Sequence, residues 1–277
     1  MSGSLYIVPT PIGNLEDITF RAVRVLKEVD LIAAEDTRHT QVLLNHYDIR
    51  TSVTSYHEHN ERGKARELVE QLRQGRSIAL LSDAGTPMIS DPGYRLVVEA
   101  IRAGVQVIPL PGPSAVTAAL SAAGLPTDRF GFEGFLPAKK SERRSALEAL
   151  KKDTKTLIFY EAPHRLKETL ADMAEIFGDR EVAIGREISK VHEEFLRGAL
   201  REILATVEQQ TVRGEITLVV QGATSGAPVS EEGVISEIRQ LAENGMRVKE
   251  ISELVGAHHG ISKREVYRLA LRVKNLK

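Results

Sequence analysis

Residues 78–104 read IALLSDAGTPMISDPGYRLVVEAIRAG. The run 78–81 is wholly apolar and of strand length, residues 82–93 are dense in Gly, Pro, Ser and Asp, and residues 94–103 carry apolar side chains at helical spacing before Gly104 closes them. The next apolar run, 105–110, supplies the returning strand. Upstream the same alternation recurs: a strand at 5–8, a helix at 19–29 with Phe20, Val23 and Leu26 in helical repeat, a strand at 31–34, and a polar helix at 60–74. Parallel neighbours need crossover connections and helices are the usual ones, so residues 1–126 are expected to form an α/β domain on a largely parallel sheet.

A second α/β domain is expected over 127–222, with strands at 130–135, 156–160, 182–185 and 216–221 and a helix at 165–177. The turn-rich segment Gly124-Leu125-Pro126-Thr127-Asp128 separates the two. Residues 223–230, ATSGAPVS, have linker composition, and 231–277 are expected to form a small helical domain.

Composition sets bounds on function. The 277 residues carry 37 Lys and Arg against 38 Asp and Glu, so no chain-wide positive field exists and any nucleic-acid contact must be local. Cysteine is absent, which removes disulfides, thiolate zinc sites and cysteine nucleophiles. The start, Met-Ser-Gly-Ser, runs directly into an apolar strand without the layout of a signal peptide, and the longest weakly polar stretch, 115–126, is shorter than the roughly 20 residues of a membrane-spanning helix. A cytoplasmic protein without a membrane partner is expected.

Three loops after strands of the first domain concentrate Gly and Pro: VPTPIGN at 8–14, SDAGTPMISDPG at 82–93 and PLPGPSA at 109–115. Ligands of open α/β sheets bind outside the carboxyl ends of strands, and rigid turns with bare backbone let a ligand approach main-chain groups closely. A single such loop merely ends a strand; three together predict a preformed pocket. Neither a phosphate-cradling G-x-x-x-x-G-K-[ST] nor a G-x-G-x-x-G after the first strand is present, which argues against a P-loop NTPase and a Rossmann dinucleotide site. From the residues alone, the chemistry of the ligand stays open.

The stretch 5–37, LYIVPTPIGNLEDITFRAVRVLKEVDLIAAEDT, together with LSDAGTPMISDPG at 81–93, PLPGPSAVTAALSAAGLP at 109–126, FEGFLP at 132–137 and YEAPHR at 160–165, resembles in content and order the ribosomal RNA methyltransferase I family of the tetrapyrrole-methylase superfamily. The resemblance implies S-adenosylmethionine in a cleft between two α/β domains, methyl transfer to the ribose 2'-hydroxyl of a decoding-centre cytidine in 16S rRNA of the small ribosomal subunit, and a homodimer. It also implies a donor site formed by Pro11, Asp83, Ala84, Met88, Ile89, Ser114 and Ala115, joined from the second domain by Ala162, Leu218 and Val219.

Methyl transfer from a sulfonium to an alcohol is an in-line displacement that needs positioning and a base for the hydroxyl proton, but no metal. Glu35, Asp36 and Arg38, at the carboxyl end of the second strand, are the catalytic candidates; Glu161, Lys190 and His192 are further possible bases, and none is singled out by sequence. Each also has a plainer role, since Asp36 can cap the helix that follows. His57 and His59 have no third ligand nearby in sequence, and no metal site is expected.

The C-terminal segment suggests a helix-turn-helix: helical spacing over 248–255, a turn-like 256–261, then Ser262-Lys263-Arg264-Glu265 as a capping box. From Lys263 onward six Lys or Arg stand against one Glu, and residues 139–155 hold seven against three acidic residues. Lys139, Lys140, Arg143, Arg144, Lys263, Arg264 and Arg268 are therefore the RNA-binding candidates, although such runs are also ordinary solvated faces. Two other readings compete. A tetrapyrrole C-methyltransferase would share the cofactor cleft but has no use for a helix-turn-helix, and a non-enzymatic DNA-binding regulator leaves the three distinctive loops unexplained.

Overall fold

The computed structural model describes residues 3–224, 231–259 and 261–274. The chain divides into two compact units, Met1–Lys151 with Lys155–Gln221, and Lys152–Thr154 with Gly222–Lys277. Of the linker expected at 223–230, residues 225–230 lie outside the described residues.

The first unit opens with β1 (Ser4–Ile7), α1 (Phe20–Glu28), β2 (Leu31–Ala34), α2 (Thr37–His46), β3 (Val53–Ser55), α3 (Glu61–Arg73), β4 (Ile78–Leu81), α4 (Tyr94–Arg102) and β5 (Gln106–Pro109). The strands lie in the order β3-β2-β4-β1-β5 and every pairing is parallel. β1 and β4 are neighbours, yet the chain leaves β1 toward one edge and β4 toward the other. Their following loops therefore part and leave a crevice at the carboxyl ends, the usual ligand position in such sheets. Both faces are covered: Ala22, Val25, Leu26, Leu43 and Leu44 of α1 and α2 pack on one, and Ala65, Leu68, Leu72, Leu96 and Ala100 of α3 and α4 on the other. Burial on both sides explains why β4 is apolar at every position.

The same unit continues with α5 (Ala115–Ala123), β6 (Phe130–Phe135), α6 (Lys140–Leu150), β7 (Thr156–Glu161), α7 (Leu166–Phe177), β8 (Glu181–Arg186), β9 (Glu194–Ala199), α8 (Leu200–Glu208) and β10 (Ile216–Val220). This sheet runs β6-β7-β10-β8-β9, with β6 and β7 parallel and the other pairings antiparallel. Helices α6, α7 and α8 bury Leu147, Leu170, Met173 and Ile203 against one face. The other face receives α5, whose Val116, Ala119, Leu120 and Ala123 meet Ile158, Ala183 and Val219.

In the second unit α9 (Glu231–Glu243), α10 (Val248–His259) and α11 (Lys263–Lys274) share a core of Val234, Ile238, Ile251, Val255, Val266 and Ala270. The helix-start signal at Ser262 is real: its Oγ accepts the Glu265 N–H at 3.2 Å. The turn expected from Gly256 begins later, because α10 runs on to His259. Gly256 instead allows close approach, since a Cβ there would lie 2.9 Å from the Ile261 carbonyl oxygen.

Candidate active site

The three Gly/Pro loops are stitched into one surface at the carboxyl ends of β1, β4 and β5. Thr10 and Gly85 exchange both backbone hydrogen bonds, at 2.9 and 3.0 Å, and the Thr10 hydroxyl donates to the Ser82 carbonyl at 3.1 Å. Thr86 donates to the Pro113 carbonyl at 3.0 Å, joining the second loop to the third. The first and third loops touch at Gly112, where a Cβ would stand 2.6 Å from Pro9 Cβ. The 82–93 loop holds unusual backbone: Met88 and Ser90 have φ of 73° and 68°, and Gly93 has 141°. Non-glycine residues in the left-handed region cost energy and persist where surrounding contacts impose them, often at functional sites.

Facing these loops are the ends of β7 and β10. Between them lies a cavity of about 390 Å³. Ile12, Ala84, Gly85, Thr86, Ile89, Ser90, Asp91, Ser114 and Ala115 line one side. Phe135, Tyr160, Glu161, Ala162, Pro163, Ile188, Gly214, Glu215, Ile216 and Thr217 line the other. Tyr160 is braced by Phe132 and Phe135, with ring centroids 4.9 and 5.5 Å away, and burial, then the Asp91 carboxylate, push its hydroxyl pKa up to about 12.

Carboxylates gather at the carboxyl ends of β2 and β4, with Asp91 on the cavity wall and Glu35, Asp36 and Asp83 off it. Burial pushes Glu35 up to about 7, aided by the charges of Asp91 and Asp83. Asp91 rises to about 6, again chiefly through burial, against a lowering hydrogen bond from Ser82. Asp83 Oδ1 accepts the Asp36 backbone N–H at 3.0 Å, which fixes the β2 end beside the β4 loop. Asp36 and Arg38 behave differently. Asp36 caps α2 through the Arg38 N–H at 2.8 Å and pairs with the Arg38 guanidinium at 2.9 Å, which holds its pKa down near about 2. Of the three catalytic candidates, Glu35 is the one with a proton affinity near neutrality.

The structure gathers Ala84, Ile89, Ser114, Ala115 and Ala162 on the cavity wall. Pro11 is buried beside the lining residue Ile12, and Asp83, off the wall, is close enough for its charge to act on Asp91. Met88 packs into the core under β4. Leu218 and Val219 are fully exclude from solvent in the cores on opposite faces of the second sheet, and their neighbours Ile216 and Thr217 reach the cavity. Sequence reasoning missed Asp91, Tyr160 and the Gly214–Thr217 wall. Asp91 lay inside the flagged loop, whereas nothing in an ordinary turn before β10 marks Gly214 and Glu215.

Two of the other possible bases, Glu161 and Lys190, are engaged. Glu161 is buried and accepts from Thr169 Oγ1 at 2.6 Å and the Ala162 N–H at 2.8 Å. Lys190 Nζ lies 2.9 Å from Glu187 and 3.2 Å from Glu215. His192 is exposed in the β8–β9 turn. Among the described residues no group of three or more His, Asp or Glu is placed to hold a metal ion.

The basic candidates divide. Lys139, Lys140, Lys263, Arg264 and Arg268 are exposed. Arg143 is 1% exposed and bound by Asp172 at 2.8 Å and Glu168 at 3.3 Å, and Arg144 is held by Asp172 and Glu175. These two arginines tie α6 to α7, so Arg143 has no surface to offer RNA.

Residues 4–204 match the family described as Tetrapyrrole (Corrin/Porphyrin) Methylases. The uroporphyrin-III-C-methyltransferase of Thermus thermophilus shares the fold, with a TM-score of 0.55 at 23% identity over 78% of this chain and 94% of that one. The ribosomal RNA small subunit methyltransferase I of Halalkalibacterium halodurans is 52% identical over 274 residues, 96% of this chain and 94% of that protein. The protein of the same name from Thermotoga maritima is 51% identical over 220 residues, 79% of this chain but 99% of that shorter protein. The fold and the cavity thus define a methylase of the tetrapyrrole-methylase class. Within that class, the chain belongs to the ribosomal RNA small subunit methyltransferase I family.

Proposed function

We propose that this protein transfers a methyl group from S-adenosylmethionine to the ribose 2'-hydroxyl of a cytidine in 16S rRNA of the small ribosomal subunit, acting in the cytoplasm as a homodimer. The observation that carries this is the cavity built from three stitched loops and the ends of β7 and β10. It fits the donor chemically: Ala84, Gly85, Ala115, Ala162 and Gly214 bare the main chain to a flat nucleoside, and Asp91 stands on the wall as the carboxylate for a cationic ligand, Glu215 being paired with Lys190. S-adenosylmethionine, when bound, supplies an electrophilic methyl group on a sulfonium.

The protein's own part is to orient the acceptor and take its proton. Glu35, with a pKa raised to about 7, is ionised enough at neutral pH to accept a proton and basic enough to hold it. Asp83 stabilises the site indirectly by fixing the β2 end through the Asp36 N–H. Exposed Lys139, Lys140, Lys263, Arg264 and Arg268 meet phosphates of the rRNA.

The test is transfer of labelled methyl from S-adenosylmethionine to small subunits lacking the modification, followed by nuclease digestion and mass analysis. Label on a cytidine ribose is expected. Tight donor binding with no label on subunits or naked RNA would refute the rRNA reading and favour a tetrapyrrole acceptor.

A further inference from the structure

A second hollow of about 620 Å³ opens at the carboxyl end of the first sheet and shares Asp91 with the donor cavity. Its wall includes Glu58, Glu61, Tyr94, Arg95, Glu99 and Arg102. Three features distinguish it from a plain surface dent. Tyr94, the first residue of α4, is 76% exposed, so its ring is open to a ligand entering the hollow. Glu58 is exposed at the rim, and Arg95 is fixed by Glu61 at 3.2 Å. Behind the wall Tyr56 is wholly buried, its hydroxyl facing the Leu96 backbone and acted on by the charges of Glu61, Arg95 and Glu99.

An exposed aromatic ring beside carboxylate acceptors and a guanidinium donor is the equipment for holding an unstacked base. Single-stranded RNA is recognised by stacking splayed bases on aromatic side chains and by hydrogen bonds to their edges. A carboxylate accepts from the exocyclic amine of cytosine, whereas uracil presents a carbonyl oxygen there and is repelled. Resting on the proposed rRNA activity, we infer that this hollow receives the cytosine base of the acceptor nucleotide, with Tyr94 as stacking platform and Glu58 as acceptor for the exocyclic amine. The ribose then lies toward Asp91, where the two hollows meet and where the charge of Asp91 reaches Glu35. Base recognition and methyl transfer thus occupy adjoining chambers; Tyr94 belongs to the acceptor site alone, whereas the charge of Glu58 also reaches Glu35.

The test uses full-length protein and small subunits carrying either cytidine or uridine at the modified position. Tyr94→Ala should raise KM for subunits about tenfold or more, with donor affinity by calorimetry unchanged, and Tyr94→Phe should restore it. Glu58→Gln should narrow the preference for cytidine over uridine, because an amide can donate to the uracil carbonyl. Wild-type KM in Tyr94→Ala, or an unchanged cytidine preference in Glu58→Gln, would overturn the assignment. Failure of the wild-type protein to label cytidine at all would instead strike the rRNA reading beneath it.

Discussion

Glu35 is the residue where environment most changes chemistry. Its pKa stands at about 7 instead of 4.5, with burial the largest cause and Asp91 the next. A base with that pKa gives methyl transfer an ascending limb centred near pH 7, and Glu35→Gln is expected to remove the limb and lower kcat by about 10²-fold or more. The same shift has a stability consequence. A carboxyl whose folded pKa is raised contributes stability that is fully present below its unfolded pKa and lost as pH rises through the folded one. Glu35→Gln should therefore gain stability relative to wild type when urea denaturation is compared at about pH 8, and little at about pH 4. A second residue-scale prediction concerns Gly93, whose φ of 141° suits glycine and whose added Cβ would lie 2.9 Å from both Leu80 Cδ2 and Met88 Cγ. Gly93→Ala should cost roughly 1–3 kcal/mol by denaturation, since backbone strain and overpacking act together. The 82–93 loop was legible because Gly and Pro mark it. The distinction between Glu35 and Asp36 was not, because it depends on Asp91 and Asp83 arriving from another strand.

At the scale of elements, the basic stretch 139–155 shows where charge counting misleads. Seen along the chain, Arg143 and Arg144 look like part of a solvated cationic face. On α6 they turn toward α7, where Asp172 accepts from both, at 2.8 and 3.0 Å. Removing one partner of a buried pair leaves an uncompensated charge, so Arg143→Met should destabilise by about 3 kcal/mol, the low end of the usual range because Arg144 still holds Asp172. Lys139→Ala with Lys140→Ala should leave stability within about 0.5 kcal/mol while weakening subunit binding. Urea denaturation separates the two outcomes, and a neutral Arg143→Met would mean the network adds nothing. The parallel first sheet was legible from its apolar runs, but β3 and β9 were not. β3 is the short edge run Val-Thr-Ser, half-buried throughout, and β9 alternates too weakly to stand out. The packing of α5 on the second sheet is equally invisible in chain order, for it follows β5 of the first.

For the whole molecule, the division of labour follows from where the matched residues stop. Every residue lining the donor cavity and the adjoining hollow lies within Met1–Lys151 or Lys155–Gln221. The family match ends at residue 204, and the Thermotoga maritima relative is accounted for almost entirely by 220 aligned residues, leaving no counterpart for about a fifth of this chain. The three-helix unit has its own core and presents Lys263, Arg264 and Arg268 to solvent. Under the proposed function its part is accessory, in RNA binding. A chain ending at Gln221 is expected to keep donor affinity and to keep kcat within a few-fold, while KM for small subunits rises and the salt dependence of RNA binding becomes shallower by about 0.7 in log–log slope for each phosphate contact removed. Steady-state kinetics on subunits at two salt concentrations, beside donor calorimetry, decides it. Loss of turnover with donor binding intact would make the helical unit part of the catalytic assembly, and an unchanged salt slope would remove it from the RNA altogether.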